Sequence, residues 1–220
     1  MSDDFRKGFK SFFIFFFMGD NLGYLDNVIA DVKNGRPVII VDSADRENEG
    51  DVFIAAENIT ERGIAFMRRY ATGLICVPIY PGRLEELGLS LMVPENYKDD
   101  LRCRFTVSVD WKYITENGIS DQDRTETIRA LIDPKSKPED FYRPGHIFPL
   151  RAEEQGLRVR LGHTEASVAL ARAAGLYPAG VICEVIREDG DMARGRYLED
   201  FAERHNIRLC SIFDLIEKGF

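Results

Sequence analysis

Five carboxylates, Asp42, Asp45, Glu47, Glu49 and Asp51, crowd into ten residues with one cation, Arg46, among them. Like charges at that density call for a counter-ion. An oxygen-rich cluster suits a hard divalent cation such as Mg²⁺, which takes one or two carboxylates and completes its shell with water and substrate oxygens. In an extended segment Glu47, Glu49 and Asp51 would point to one side. A solvated acidic loop joining two strands explains the same composition. The second constellation is Arg158-Val159-Arg160-Leu161-Gly162-His163-Thr164-Glu165, read as two arginines on one side of a strand, then Gly, His and Thr where a helix opens. Backbone N–H groups at a helix N-terminus beside a guanidinium favour a phosphate, and glycine lets it approach closely. A neutral His163 there offers one ring nitrogen to a metal and the other to a neighbour; the alternative is a capping Thr164 with a structural histidine. His146, after the Pro144-Gly145 turn, and Glu184, ending the apolar run Val181-Ile182-Cys183, are either partly desolvated acids and bases or plain polar residues at element ends. His205 reads as ordinary surface, and Cys76 and Cys183 as buried small apolar residues.

The elements that must position these groups follow from hydrophobic spacing. Leu25, Val28, Ile29 and Val32 mark a helix stopped by Asn34-Gly35. Val38–Val41 and Val52–Ala56 read as strands flanking the acidic stretch, with Leu74–Ile79 and Phe105–Asp110 as two more. Thr60 caps a helix carrying Ile64, Met67 and Arg68, and Ser120 with Asp123 opens one that runs to Ile132 and stops at Asp133-Pro134. Residues 81–104 are irregular, and 134–145 read as loop. Leu157–Leu161 alternates like a strand, Glu165–Ala174 is helical up to Gly175, and Val181–Cys183 is a strand. A helix through Leu198 and Phe201 then leads to a strand, Ile207–Cys210, and a terminal turn at Leu215. The expectation is a single layered α/β (α+β) domain over 22–220 with a mixed sheet flanked by helices.

Composition narrows the function. The 220 residues are 45% hydrophobic, enough for one well-filled core. With 29 Lys and Arg against 37 Asp and Glu, a net charge of −8 disfavours a general grip on nucleic acid. The Phe12–Met18 run is far short of the roughly 20 residues that span a bilayer, and it lacks a small-x-small cleavage pattern. Residues 1–21 are therefore expected to be a disordered extension, with no membrane association. Four cysteines without CxxC or Cys-His spacing fit a reducing cytoplasm rather than a disulfide or zinc scaffold.

Six motifs in order, Asp45-Arg46-Glu47-Asn48-Glu49-Gly50-Asp51, Thr72–Pro78, Phe105–Asp110, Arg143–Leu150, Gly162-His163-Thr164-Glu165 and Pro178–Glu184, resemble those of the 3,4-dihydroxy-2-butanone-4-phosphate synthase family over roughly residues 22–217. The resemblance implies conversion of D-ribulose 5-phosphate to L-3,4-dihydroxybutan-2-one 4-phosphate and formate in riboflavin biosynthesis, a lyase reaction assisted by Mg²⁺ or Mn²⁺. It implies Glu47 and His163 as metal ligands and His146 and Glu184 as catalytic groups. Arg46, Glu47, Asp51, Arg160, Leu161, Gly162, His163, Thr164 and Glu184 match substrate-contacting positions. It also implies a layered fold and a homodimer with active sites close to the subunit interface. Some relatives carry a following GTP cyclohydrolase II domain, whose activity is expected to be absent here. Departures from the family pattern are the extension itself, Asn117 where Thr is more frequent, and Cys103-Arg104 where Thr-Ala is common. The same residue types would also serve a metal-dependent sugar-phosphate aldolase or isomerase, or a non-catalytic phosphate-ligand binding protein.

Overall fold

The computed structural model describes residues 21–93 and 103–220. The expected disordered extension lies outside them except for Asn21, which already begins helix α1 (Asn21–Lys33). Seven strands follow in the described residues: β1 (Val38–Val41), β2 (Gly50–Ala55), β3 (Cys76–Ile79), β4 (Val109–Trp111), β5 (Phe141–Arg151), β6 (Gly180–Glu184) and β7 (Arg208–Ser211). They form one sheet in the order β4-β5-β3-β6-β2-β1-β7. The pairs β1·β7 and β3·β5 are parallel and the others antiparallel, so the sheet is mixed, as expected. The remaining helices are α2 (Glu61–Phe66), α3 (Pro81–Glu86), α4 (Asp121–Ile132), α5 (His163–Ala173), α6 (Arg196–His205) and α7 (Ile212–Glu217).

Alternation along each strand divides the core into two layers. Ile39 and Val41 of β1 and Val52 and Ile54 of β2 pack with Ile64 of α2, Leu131 of α4 and Phe201 of α6. Val38, Ile40, Phe53 and Ala55 face the other way, against Val28 of α1, Leu170 of α5 and Leu215 of α7. A sheet covered on both faces reads as unbroken apolar runs, which is why the central strands were plain in the sequence. Phe53, Ile39 and Ile40 are fully buried, each stabilising the fold by about 1.5–3 kcal/mol. The two read caps are present: Thr60 Oγ1 accepts from the N–H of Gly63, and Ser120 Oγ from that of Asp123.

Several expectations are corrected. The strand read over Phe105–Asp110 is short: only Val109–Trp111 forms a strand, with a register shift after Val109, and Phe105 and Thr106 make isolated bridges. The loop read over 134–145 is instead a short turn and the first half of the eleven-residue β5, so His146 lies within a strand rather than after a turn. Pro144 is tolerated because β3 pairs only with the later half of β5, from Phe148 onward. The alternation of Leu157–Leu161 is not a strand. It is a 3₁₀ turn, Gly156–Arg158, followed by coil that exposes Val159 and Leu161. Leu215 lies in helix α7 rather than a turn. A single π-helical turn, Met67–Ala71, extends α2. His205 is half-buried among the rings of Phe66, Tyr70 and Phe201 rather than plainly on the surface.

Candidate active site

β1 and β2 are antiparallel neighbours, so the acidic stretch is the connection between them. It is not extended. Asp42, buried at the end of β1, gathers it: Oδ2 accepts from Arg46 Nη1 at 2.9 Å and from the N–H of Glu47 at 3.0 Å, and Oδ1 from the N–H of Glu49 at 2.8 Å. The stretch is therefore a curled loop rather than the expected extended array, although Glu47 and Glu49 still come close enough to Asp51 to raise its carboxyl. Arg46 Nη1 also donates to Glu47 Oε2 at 2.7 Å, which holds that carboxylate on the α5 side of the loop, where His163 stands. His163 is the first residue of α5, and its Nδ1 lies 3.3 Å from Glu47 Oε2. Only 7% of its side chain is exposed, and its Nε2 is buried with no hydrogen-bond partner among the described residues.

Asp51, second residue of β2, pairs across the sheet with Glu184, the last residue of β6. Phe53 and Ile182, two residues along each strand, belong to the α5-side core, so Asp51 and Glu184 face α5 as well. Glu184 Oε2 accepts from the N–H of Leu74 at 2.8 Å, and Glu184 O accepts from that of Gly73 at 3.1 Å. A Cβ on Gly73 would stand 2.6 Å from that carbonyl oxygen, so only glycine lets the chain pass there.

The cluster is rich in negative charge. Burial pushes the Asp51 carboxyl up to about 7, with Glu184, Glu47 and Glu49 adding to it and His163 opposing. Burial alone would lower His163, yet Asp51, Glu47 and Asp42 together outweigh it and raise the imidazole to about 9. Burial also opposes ionisation of Glu47, but His163 and Arg46 hold its carboxyl below the usual range. Such a pocket favours a cation, and one that enters takes the place of the imidazole proton. One ligand atom each from Asp42, Glu47 and His163 lies within 4.8 Å of the others. Asp42 already spends both oxygens on the loop, whereas Glu47 has one oxygen engaged and His163 one unpartnered nitrogen. The residues therefore fit a hard divalent ion held by few protein groups, with Glu47 and His163 as the available donors.

Gly162 caps α5 without a side-chain bond, and the first intrahelical bond runs from the N–H of Ala166 to Gly162 O. The N–H groups of His163, Thr164 and Glu165 thus have no helical acceptor, and Thr164 is buried beside them. Arg160 does not stand free on a strand face. Its Nη1 donates to Glu165 Oε2 at 2.6 Å and its Nη2 to Cys103 Sγ at 3.4 Å, while Glu165 Oε1 accepts from the N–H of Glu153. His146 lies apart. Phe148 pairs with Cys76 of β3, which pairs with Ile182 of β6, so two interstrand spacings, about 10 Å, separate β5 from Glu184's strand. Phe148 and Leu150 both pack on the α5-side core, which puts His146 on the same face of the sheet as Asp51 and Glu184. Its ring meets Asp110, with Nδ1 to Oδ2 at 2.7 Å.

Sequence reasoning missed the organising role of Asp42, which an Asx residue opening a polar connection between two strands would have signalled. It also missed Glu165 as partner of Arg160, Gly73 against Glu184 and Asp110 against His146. The last two are long-range meetings with no local signature, and the Arg160–Glu165 pair spans five residues across the start of a helix.

A family model for 3,4-dihydroxy-2-butanone 4-phosphate synthase matches residues 26–218. The riboflavin biosynthesis protein RibBA of Aquifex aeolicus (strain VF5) is 51% identical over 195 residues, covering 88% of this chain and 48% of that protein. The 3,4-dihydroxy-2-butanone 4-phosphate synthase of Agrobacterium fabrum is 50% identical over 192 residues, covering 87% of this chain and 90% of that protein. The chain thus spans about half the length of the RibBA relatives it matches and nearly all of the Agrobacterium one. A crystal structure of 3,4-dihydroxy-2-butanone 4-phosphate synthase in complex with two magnesium ions aligns with a TM-score of 0.84 at 42% identity, covering 88% of this chain and 95% of that one. By sequence and by architecture, this chain belongs to the 3,4-dihydroxy-2-butanone 4-phosphate synthase family.

Proposed function

We propose that this chain converts D-ribulose 5-phosphate into L-3,4-dihydroxybutan-2-one 4-phosphate and formate, the step that supplies a four-carbon unit for riboflavin, with Mg²⁺ or Mn²⁺ as cofactor. The observation that carries this reading is the meeting of Glu47 and His163 at 3.3 Å, beside the cross-strand Asp51–Glu184 pair, in a chain of this family. A divalent ion bound there supplies electrostatic stabilisation of charge that develops on adjacent substrate oxygens. Glu47 and His163 would hold it.

The chain's own groups supply the rest. The free N–H groups of His163, Thr164 and Glu165 offer donors to the phosphate oxygens, and Gly162 leaves room for the ester. Arg160, held by Glu165, keeps the Leu161–Gly162 segment against the helix terminus. Arg46 and Asp51 contact the sugar from the β1–β2 side. Glu184 keeps Oε2 on the N–H of Leu74, so Oε1 is the atom that exchanges protons with substrate. His146 is the second acid-base group, on the same face of the sheet. General acid-base catalysis by such groups is worth about 10²–10⁴ in rate each. The functional unit is a homodimer with its active sites close to the subunit interface, working in the cytoplasm. The buried thiols of Cys76, Cys183 and Cys210, none of them in a disulfide, accord with a reducing compartment. Incubation with D-ribulose 5-phosphate and Mg²⁺ is expected to release one formate per ketose consumed and to stop on chelation. An epimer, or two smaller carbonyl fragments without formate, would overturn the reading in favour of an isomerase or aldolase.

A further inference from the structure

We propose that Asp110 is the positioning residue for His146, fixing the imidazole with its proton on Nδ1 and its Nε2 free to accept one. The proposal rests on the reading above, in which His146 moves protons. It stands on geometry that no metal ligand shares. One carboxylate binds one residue at both ends: Asp110 Oδ1 accepts the backbone N–H of His146 at 2.8 Å, and Oδ2 faces Nδ1 at 2.7 Å. The carboxylate is nearly buried, at 8% exposure, while the imidazole is 43% exposed, so the anchor is held inside and the ring reaches out.

The backbone around the pair is shaped to bring it together. The β4–β5 register shifts between Val109 and Asp110, and Gly145 packs so closely against the Val109 and Asp110 backbone that no Cβ fits there. From above, Asp123, wholly buried at the start of α4, accepts from the N–H and hydroxyl of Thr115 and from the N–H of Gly118. That draws Gly118 over the pair with φ at 91°, where a Cβ would stand 2.6 Å from both Asp110 Cγ and His146 Nδ1. Glycine alone combines that backbone angle with that clearance.

The chemistry follows from donor and acceptor counting. An ionised carboxylate only accepts, so the imidazole must present its N–H at Nδ1, and the neutral ring then keeps its acceptor at Nε2. When Nε2 takes a proton, the buried carboxylate stabilises the resulting imidazolium without itself moving. In Asp110→Asn the carboxamide oxygen stays on the backbone N–H of His146, because that donor needs an acceptor. The NH₂ group must then face Nδ1. The tautomer reverses, and Nε2 carries the hydrogen and can no longer accept one.

Nitrogen NMR of histidine-labelled protein, with only three histidines to assign, combined with steady-state kinetics tests this. Wild-type protein is expected to show the His146 proton on Nδ1 and Asp110→Asn to show it on Nε2. The kcat of Asp110→Asn should fall on the order of 10²- to 10⁴-fold, with the KM for D-ribulose 5-phosphate and the Mg²⁺ requirement nearly unchanged. Asp110→Glu should restore both the Nδ1 proton and part of kcat. A proton on Nε2 in the wild-type protein, or a near-wild-type kcat in Asp110→Asn, would overturn the proposal. Absence of formate production by the wild-type protein would remove the functional reading alone, and the two tautomer measurements would still decide whether Asp110 sets the ring.

Discussion

His163 stands at the start of α5 with 7% of its side chain exposed and Glu47 3.3 Å away, with Asp51 and Asp42 close enough to raise its imidazole further. His146 stands on β5 with 43% exposed and one carboxylate, Asp110, as its partner. The residue type is the same and the surroundings are opposite. Several carboxylates around a buried ring collect more negative charge than one imidazole proton neutralises, which favours a divalent cation over a proton carrier. A single carboxylate behind a half-exposed ring orients it and leaves the far nitrogen open to solvent or substrate, the arrangement of a general base. On the reading proposed above, surroundings rather than residue type separate the metal side of the site from the proton-transfer side.

The largest expected effect comes from emptying the buried side. His163→Ala or Glu47→Gln removes one of two available donors, and the loss of several kcal/mol of charge stabilisation lowers kcat/KM by roughly 10³-fold or more at low Mg²⁺, with partial recovery at high Mg²⁺. An unchanged metal dependence in formate-release assays would contradict this. His146→Ala comes next, at about 10²- to 10⁴-fold in kcat but with the Mg²⁺ requirement of the wild type; a shifted requirement would erase the distinction between the two histidines. Arg160→Lys is expected to raise KM several-fold, since a point charge replaces a planar fork. It also loosens the buried pair with Glu165, at less than the about 3–5 kcal/mol of removing a partner outright. Unaltered KM and unaltered melting temperature together would place phosphate binding elsewhere.

The smallest effect is on stability against pH in chelated protein. His163 has a folded-state value of about 9, above its ordinary 6.5, so the stability from its protonated form is complete below about 6.5 and is lost as pH rises through 9. Asp51, raised from 3.8 to about 7, acts in the same sense and loses its share by about 7. The melting temperature should therefore fall between pH 6.5 and 9, and His163→Ala should flatten the slope. A melting temperature that rises over this range would show that His163 holds no such excess charge around it.

The buried strands β1, β2 and β6 and the capped helices were legible because each carries its signal within a few residues, whereas the roles proposed for Glu47, His163 and Glu184 came from the family resemblance, their local settings leaving structural alternatives open. Asp42 to Asp51 was legible as a cluster but not as a shape: five carboxylates suggested an extended comb, whereas Asp42 accepts three bonds and curls the loop. The alternation of Leu157–Leu161 mimicked a strand, because nothing local showed that Arg160 turns inward to Glu165. β5 was hidden by Pro144 and Gly145, which mark turns in most settings and here occupy the half of a strand that β3 leaves unpaired. Asp110 is 36 residues from His146, and only the β4–β5 pairing joins them.

Pulsed EPR of Mn²⁺ bound to the protein tests the separation of the two histidines most directly, because it detects nitrogen bound to the ion. Nitrogen coupling is expected in the wild-type protein and in His146→Ala, and is expected to vanish in His163→Ala. Coupling that survives in His163→Ala, or disappears in His146→Ala, would contradict a cation held between Glu47 and His163.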